Sequence, residues 1–148
     1  MGINNGHGFS IIEMAATLAF VGIITAIAIP QWARLLPAHQ LDSSARQLQS
    51  ELHSIKMRAA SENVPFQLQY VEGAAEYAIQ RDAVILARKP LPEGIVITKA
   101  GTISFSPRGT AGGNRIRLRN TDGLCKQIIV SATGRVRICK PSACTADC

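Results

Sequence analysis

The sequence predicts an α+β fold in which one long N-terminal helix leads into an antiparallel β-sheet head and packs on it. Three features point there: an apolar run ahead of residue 30, a one-faced helical stripe between residues 41 and 59, and a series of short alternating segments after Pro65.

Phe9 to Ile29 is apolar almost throughout and, coiled at about 1.5 Å per residue, would reach roughly 31 Å, the hydrocarbon thickness of a bilayer. It is long enough to span a membrane. Glu13 is the one charge within it, and a lone carboxylate in a membrane helix costs on the order of 2.5 to 3.5 kcal/mol. No Lys or Arg lies between Met1 and Arg34, so the candidate cation to offset Glu13 is an α-amino group, which requires cutting the chain nearby; the plainer reading is a Glu near a helix end that reaches the interface by its own flexibility.

Beyond Pro30 the pattern turns amphipathic. Leu41, Ala45, Leu48, Leu52, Ile55 and Ala59 recur at steps of four and three, with Asp42, Arg46, Glu51, Lys56 and Arg58 mostly on other faces. Pro30 and Pro37 each remove a backbone donor and should bend or loosen the helix, which should end around Glu62-Asn63, before Pro65. In the head, Val64–Val71, Tyr77–Gln80, Val84–Ala87, Ile95–Lys99, Thr102–Ser106 and Arg115–Arg119 read as strands, and Leu124–Lys140 as a hairpin turning at Ala132-Thr133-Gly134. With 148 residues in all, the head has about 85 and holds one small core, built from Ile, Leu, Val and Ala because aromatics make up only 5%.

The four cysteines, Cys125, Cys139, Cys144 and Cys148, all lie near the C-terminus, and a membrane anchor would put that end in an oxidising compartment. Three connectivities are open. Pairing Cys125 with Cys139 across the hairpin also pairs Gln127 with Arg137 and Ile128 with Val136. That register places Ile128, Val130, Val136 and Ile138 on the core face, with Arg135, Arg137 and the disulfide on the other, and leaves Cys144 to Cys148. A four-thiolate zinc site is disfavoured by the lack of a C-x-x-C pair, so no metal and no cofactor is expected. His7, His39 and His53 all precede the head, so a nucleophile there has no imidazole base and an enzyme is not expected.

The charge is concentrated at one end. Lys99, Arg108, Arg115, Arg117, Arg119, Lys126, Arg135, Arg137 and Lys140 face a single acid, Asp122, over the same span, which points that surface toward a polyanion. The alternation of Arg115-Ile116-Arg117-Leu118-Arg119 turns Ile116 and Leu118 inward and leaves three arginines about 7 Å apart on the outer face, close to phosphate spacing along a nucleic-acid strand. The plainer reading, arginines that only solubilise a sheet, stands beside it. No aromatic residue in the patch can stack on bases and no helix remains to enter a groove, so any nucleic-acid binding should be sequence-independent, with about three to five phosphates neutralised.

Gly8-Phe9-Ser10-Ile11-Ile12-Glu13 ahead of an apolar helix, with Pro30 inside it, resembles the signal of type IV pilins and type II secretion pseudopilins. The resemblance implies a type IV pilin-like fold and a prepilin leader, residues 1–8, cut by a prepilin peptidase after Gly8. The new N-terminal Phe9 would then be methylated and its amine set against Glu13 of a neighbouring subunit. Residues 9–36 would be the transmembrane and assembly half of the helix, 37–62 its amphipathic half and 63–148 the head; the subunit would reside in the bacterial inner membrane, then join other pilins in a pilus or pseudopilus. Ile103, Phe105 and Gly109 resemble a strand pattern of the GspH and FimT group, and Gly134-Arg135-Val136-Arg137 resembles the G-R-x-R motif of FimT-like minor pilins. That likeness implies binding of double-stranded DNA for natural transformation, centred on Arg135 and Arg137 with Gly134 closing the turn, and with Arg115, Arg117, Arg119, Lys126 and Lys140 in support. The alternative is a structural minor pilin or GspH-like pseudopilin whose arginines meet acidic neighbours at the filament tip.

Overall fold

A computed structural model describes residues 10–146. The chain falls into two compact units, Met1–Leu36 and Pro37–Cys148. In the first, helix α1 (Ile11–Glu62) opens with a stretch, Ile11–Ile29, long and apolar enough to cross a membrane, none of it buried within the chain.

In the second unit the apolar stripe of α1 is the centre of the core. Leu41, Ala45, Leu48, Leu52, Ile55 and Ala59 are all buried, so the helical period read from the sequence is the packed face. Asn63, at φ 54°, turns the backbone left-handed and stops α1 two residues before Pro65. Among the described residues eight strands follow, all paired antiparallel, in two four-stranded sheets: β3-β2-β1-β5 and β4-β6-β7-β8. The first is built from β1 (Phe66–Tyr70), β2 (Glu76–Arg81), β3 (Val84–Pro90) and β5 (Gly101–Phe105); the second from β4 (Val96–Ile97), β6 (Asn114–Arg119), β7 (Cys125–Val130) and β8 (Val136–Cys139). Phe66, Leu68, Ile103 and Phe105 from one sheet and Ile116, Leu118, Ile128 and Val130 from the other share one core with the helix stripe.

Strand β3 runs to Pro90, three residues past the expected end. It is the free edge of its sheet, where a residue without an N–H loses no ladder bond. The last passage of the chain between the sheets runs through residues 106–113, and the junction is tied where Tyr70 Oη donates to the Arg115 carbonyl at 3.0 Å and Asn114 Nδ2 to the Thr102 carbonyl at 3.0 Å. Burial pushes the phenols of Tyr70 and Tyr77 up to about 12, Tyr77 aided by the nearby Glu51 carboxylate.

The polar flanks of α1 hold the sheets. Glu51 pairs with Lys89 at 2.6 Å, Asp42 pairs with Lys126 of β7, and Gln49 Nε2 and Lys56 Nζ donate to the carbonyls of Val136 and Gly134 at 3.3 and 3.0 Å. The Val136 carbonyl is on the outer edge of β8, which pairs with no further strand among the described residues, and the Gly134 carbonyl is in the turn two residues before it. Two helix side chains, two turns apart, thereby cap an edge that would otherwise be open and the turn that leads into it.

Candidate nucleic-acid interface

The β7–β8 hairpin pairs Gln127 with Cys139, Ile128 with Ile138, Ile129 with Arg137 and Val130 with Val136. This corrects the expected register by two residues. The turn closes over Ser131–Arg135, where Ser131 N donates to the Arg135 carbonyl at 3.0 Å and Gly134 N to the Ser131 carbonyl at 2.8 Å; it is centred on Thr133, as the Ala132-Thr133-Gly134 reading has it, and a turn centred there sets Gln127, not Cys125, opposite Cys139. A slip of two leaves every side chain on its face, so Ile128, Val130, Val136 and Ile138 still point inward.

The same slip overturns the disulfide assignment. With Gln127 opposite Cys139, the Cα atoms of Cys125 and Cys139 are about 8 Å apart by strand geometry, too far to bridge. Cys125 is joined instead to Cys144, with a Cα separation of 5.3 Å, which also excludes Cys144–Cys148. Cys139 is disulfide-bonded as well, and Cys148 lies outside the described residues. The Cys125–Cys144 bond and the Gln127 Nε2 hydrogen bond to the Ala146 carbonyl at 2.5 Å lay the C-terminal tail over the outer face of β7.

That tail sorts the basic residues. In register across the outer face, Arg115, Ile129 and Arg137 stand side by side, as do Arg117, Gln127 and Cys139, and Arg119 stands beside Cys125. Arg135 and Arg137 are exposed, and neither guanidinium has an ion pair among the described residues. With Ile129, Ser131 and Thr133 they line a shallow groove of about 300 Å³. A neighbouring groove of about 350 Å³ includes Lys99, Arg115 and Arg117. Arg115 and Arg117 are half-buried and engaged in contacts, and Arg119, exposed at the far end of β6, is about 16 Å from Arg137 by strand spacing.

Lys126 does not belong with them. Its side chain shares the inward face with Ile128 and Val130 and is paired with Asp42 of α1, so it faces the helix and not the outer surface. Lys140, just past β8, is exposed. Gly134 does more than close the turn: at φ 73° it is buried so closely against the next loop that a Cβ there would lie 2.3 Å from the Gly109 carbonyl oxygen and 2.9 Å from Lys56 Nζ. The tethers Lys56 and Gln49 were not anticipated from the sequence, nor was the placement of Arg108 beside the hairpin tip; the local pattern marks Lys56 and Gln49 only as polar flank positions. Glu13 is exposed on α1, while Gly8 and Phe9 lie outside the described residues.

A helix that begins with a membrane-length apolar stretch and ends packed on an antiparallel β head is the design of a type IV pilin-like subunit. Residues 44–134, more than half the chain, match the family described as Type II transport protein GspH, and the chain belongs to that family. Among solved structures it is similar to the type IV minor pilin FimU of Pseudomonas aeruginosa, at 18% identity over 70% of this chain and 99% of that one, with a TM-score of 0.56. It is likewise similar to the minor pseudopilin EpsH from the Type 2 Secretion System of Vibrio cholerae, at 11% identity over 70% of this chain and 98% of that one, with a TM-score of 0.58. Comparison with curated protein sequences gives no significant match. The protein is a minor pilin or pseudopilin with the type IV pilin fold.

Proposed function

We propose that this subunit binds double-stranded DNA outside the membrane, without sequence preference, through Arg135 and Arg137, as a minor pilin serving natural transformation. The observation that carries the reading is that both guanidinium groups are exposed and without an ion pair among the described residues, on a strand edge held rigid by Gln49 and Lys56. Arginines two residues apart on one strand are spaced about 7 Å and present forked donors to successive phosphates. Base edges are not read, so affinity falls with salt, with a log–log slope near −0.9 per phosphate engaged. Cleavage after Gly8, methylation of Phe9, contact of Glu13 with a neighbour's amine, and passage from the bacterial inner membrane into a filament of other pilins complete the proposal.

The test is a gel shift of linear duplex by the full chain in nonionic detergent. Wild type is expected to retard DNA at about 50 mM salt, and Arg135→Ala with Arg137→Ala to abolish the shift while tyrosine circular dichroism is unchanged. A wild-type chain that gives no shift at that salt refutes the reading.

A second reading, a purely structural pilin or pseudopilin, is favoured by one observation. Val84, Ile85 and Leu86 of the edge strand β3 are 64, 46 and 44% exposed, an apolar surface suited to packing against another subunit. The same gel shift separates the two.

A further inference from the structure

The tip of the β7–β8 hairpin is half of a two-loop structure. The other half is the loop from β5 to β6, in which Ser106 N donates to the Thr110 carbonyl and Gly109 N to the Ser106 carbonyl, each at 2.9 Å, so the turn carrying Arg108 is closed on itself. Ala111 N then donates to the Ala132 carbonyl at 3.0 Å, and the Gly109 carbonyl abuts Gly134 with no room for a side chain between them. Lys56 sits beneath both: its Nζ holds the Gly134 carbonyl, and its Cε would be 3.5 Å from a Cβ on Gly109. The two loops are one rigid unit.

Arg108 is exposed on it and has no ion pair among the described residues. From Arg108 through Gly109 and across to Gly134 and Arg135, the connection is short enough to keep the two arginine Cα atoms within about 14 Å. In the other direction, along β6, the basic row does not continue. Arg115 and Arg117 are half-buried and engaged, the tail bound at Cys125 and Gln127 lies between the tip and Arg119, and Lys126 faces Asp42.

The geometry points to a DNA footprint that crosses the tip instead of following β6: Arg135 and Arg137 hold phosphates of one strand, and Arg108 holds a phosphate of the complementary strand. This inference rests on the DNA reading above and adds which residue meets the second strand of the duplex. A minor groove is about 6 Å wide, so two cation positions about 14 Å or less apart, each on a long side chain, can meet both of its rims. A lone single strand offers only one row of phosphates to that arrangement, so Arg108 adds little to its binding.

The experiment compares the full chain in nonionic detergent with Arg108→Ala, Arg119→Ala and Lys126→Ala, titrating a short linear duplex and one of its strands over a salt series. Arg108→Ala is expected to weaken duplex binding about 5- to 10-fold and make its log–log salt slope shallower by about 0.9, with single-strand affinity within about twofold of wild type. Arg119→Ala and Lys126→Ala should leave the duplex slope unchanged. An unchanged slope for Arg108→Ala, or a loss for Arg119→Ala that equals or exceeds it, overturns the footprint while the DNA reading stands if Arg135→Ala with Arg137→Ala still abolishes binding. Absence of any wild-type shift overturns both.

Discussion

Gly134→Ala should destabilise the head by about 2 to 5 kcal/mol, and the two contributions can be separated. The first is conformational: an L-residue held near φ 73° costs about 1 to 2 kcal/mol relative to glycine. The second is steric. The new methyl would be 2.3 Å from a backbone carbonyl oxygen of Gly109 and 2.9 Å from Lys56 Nζ, and a backbone atom in a closed turn cannot give way as a side-chain end can, so the overpacking costs about 1 to 3 kcal/mol more. Gly73→Ala isolates the first contribution, since Gly73 has φ 75° with open space around its would-be Cβ. Urea unfolding of the disulfide-intact chain in detergent, followed by the near-ultraviolet circular dichroism of Tyr70 and Tyr77, measures both variants. A typical domain of this size is stable by about 5 to 15 kcal/mol, so Gly134→Ala should fold and show a midpoint well below that of Gly73→Ala. Equal midpoints would mean that the Gly109–Gly134 contact yields freely, and the rigid two-loop tip would have to be abandoned.

Two other outcomes follow from the backbone and from burial. Asp82 and Ala83 form the β2–β3 turn at φ 46° and 68°, and Ala83 is strained there, so Ala83→Gly should raise stability by about 0.5 to 1 kcal/mol and the melting temperature by a few degrees; no change in a thermal melt would refute the strain. Tyr70 and Tyr77 are the two tyrosines of the chain, so ultraviolet absorbance reads them directly. Both should ionise near pH 12 in the folded protein, and because the folded state keeps these protons longer than the unfolded chain, stability should be intact below pH 10 and fall as pH rises from 10 toward 12. Ionisation near pH 10 without unfolding would show that the phenols are not desolvated.

Much of the architecture was legible because it is periodic. A stripe at steps of four and three can be satisfied only by burying one side of a helix, and Leu41 to Ala59 did so; Arg115 to Arg119 and Leu124 to Val130 alternated and became strands with Ile116, Leu118, Ile128 and Val130 inside. The alternation that turned Ile128 and Val130 inward also turned Lys126 inward, where Asp42, distant in sequence, receives it. Placing Lys126 among the outer cations disregarded the period that had sorted its neighbours. Arg108 was visible as a charge, yet its neighbourhood depends on the carbonyl of Gly109 meeting Gly134 across two loops, and no local pattern encodes that meeting.

The sequence by itself determined the apolar anchor, the single helix stripe, the parity of each strand and the concentration of positive charge, since these follow from side-chain identity and from periods of 3.6 and 2. Only the tertiary structure decided which register the β7–β8 hairpin takes, which cysteine Cys125 meets, and which cations remain on one exposed surface. The physical reason is a degeneracy: a slip of two residues preserves every inward and outward assignment, so alternation cannot choose between registers. Turn closure at Ser131–Arg135 and the contacts of Gly134 with Gly109 and Lys56 accompany the register observed, and the disulfide and the surface charge follow from it.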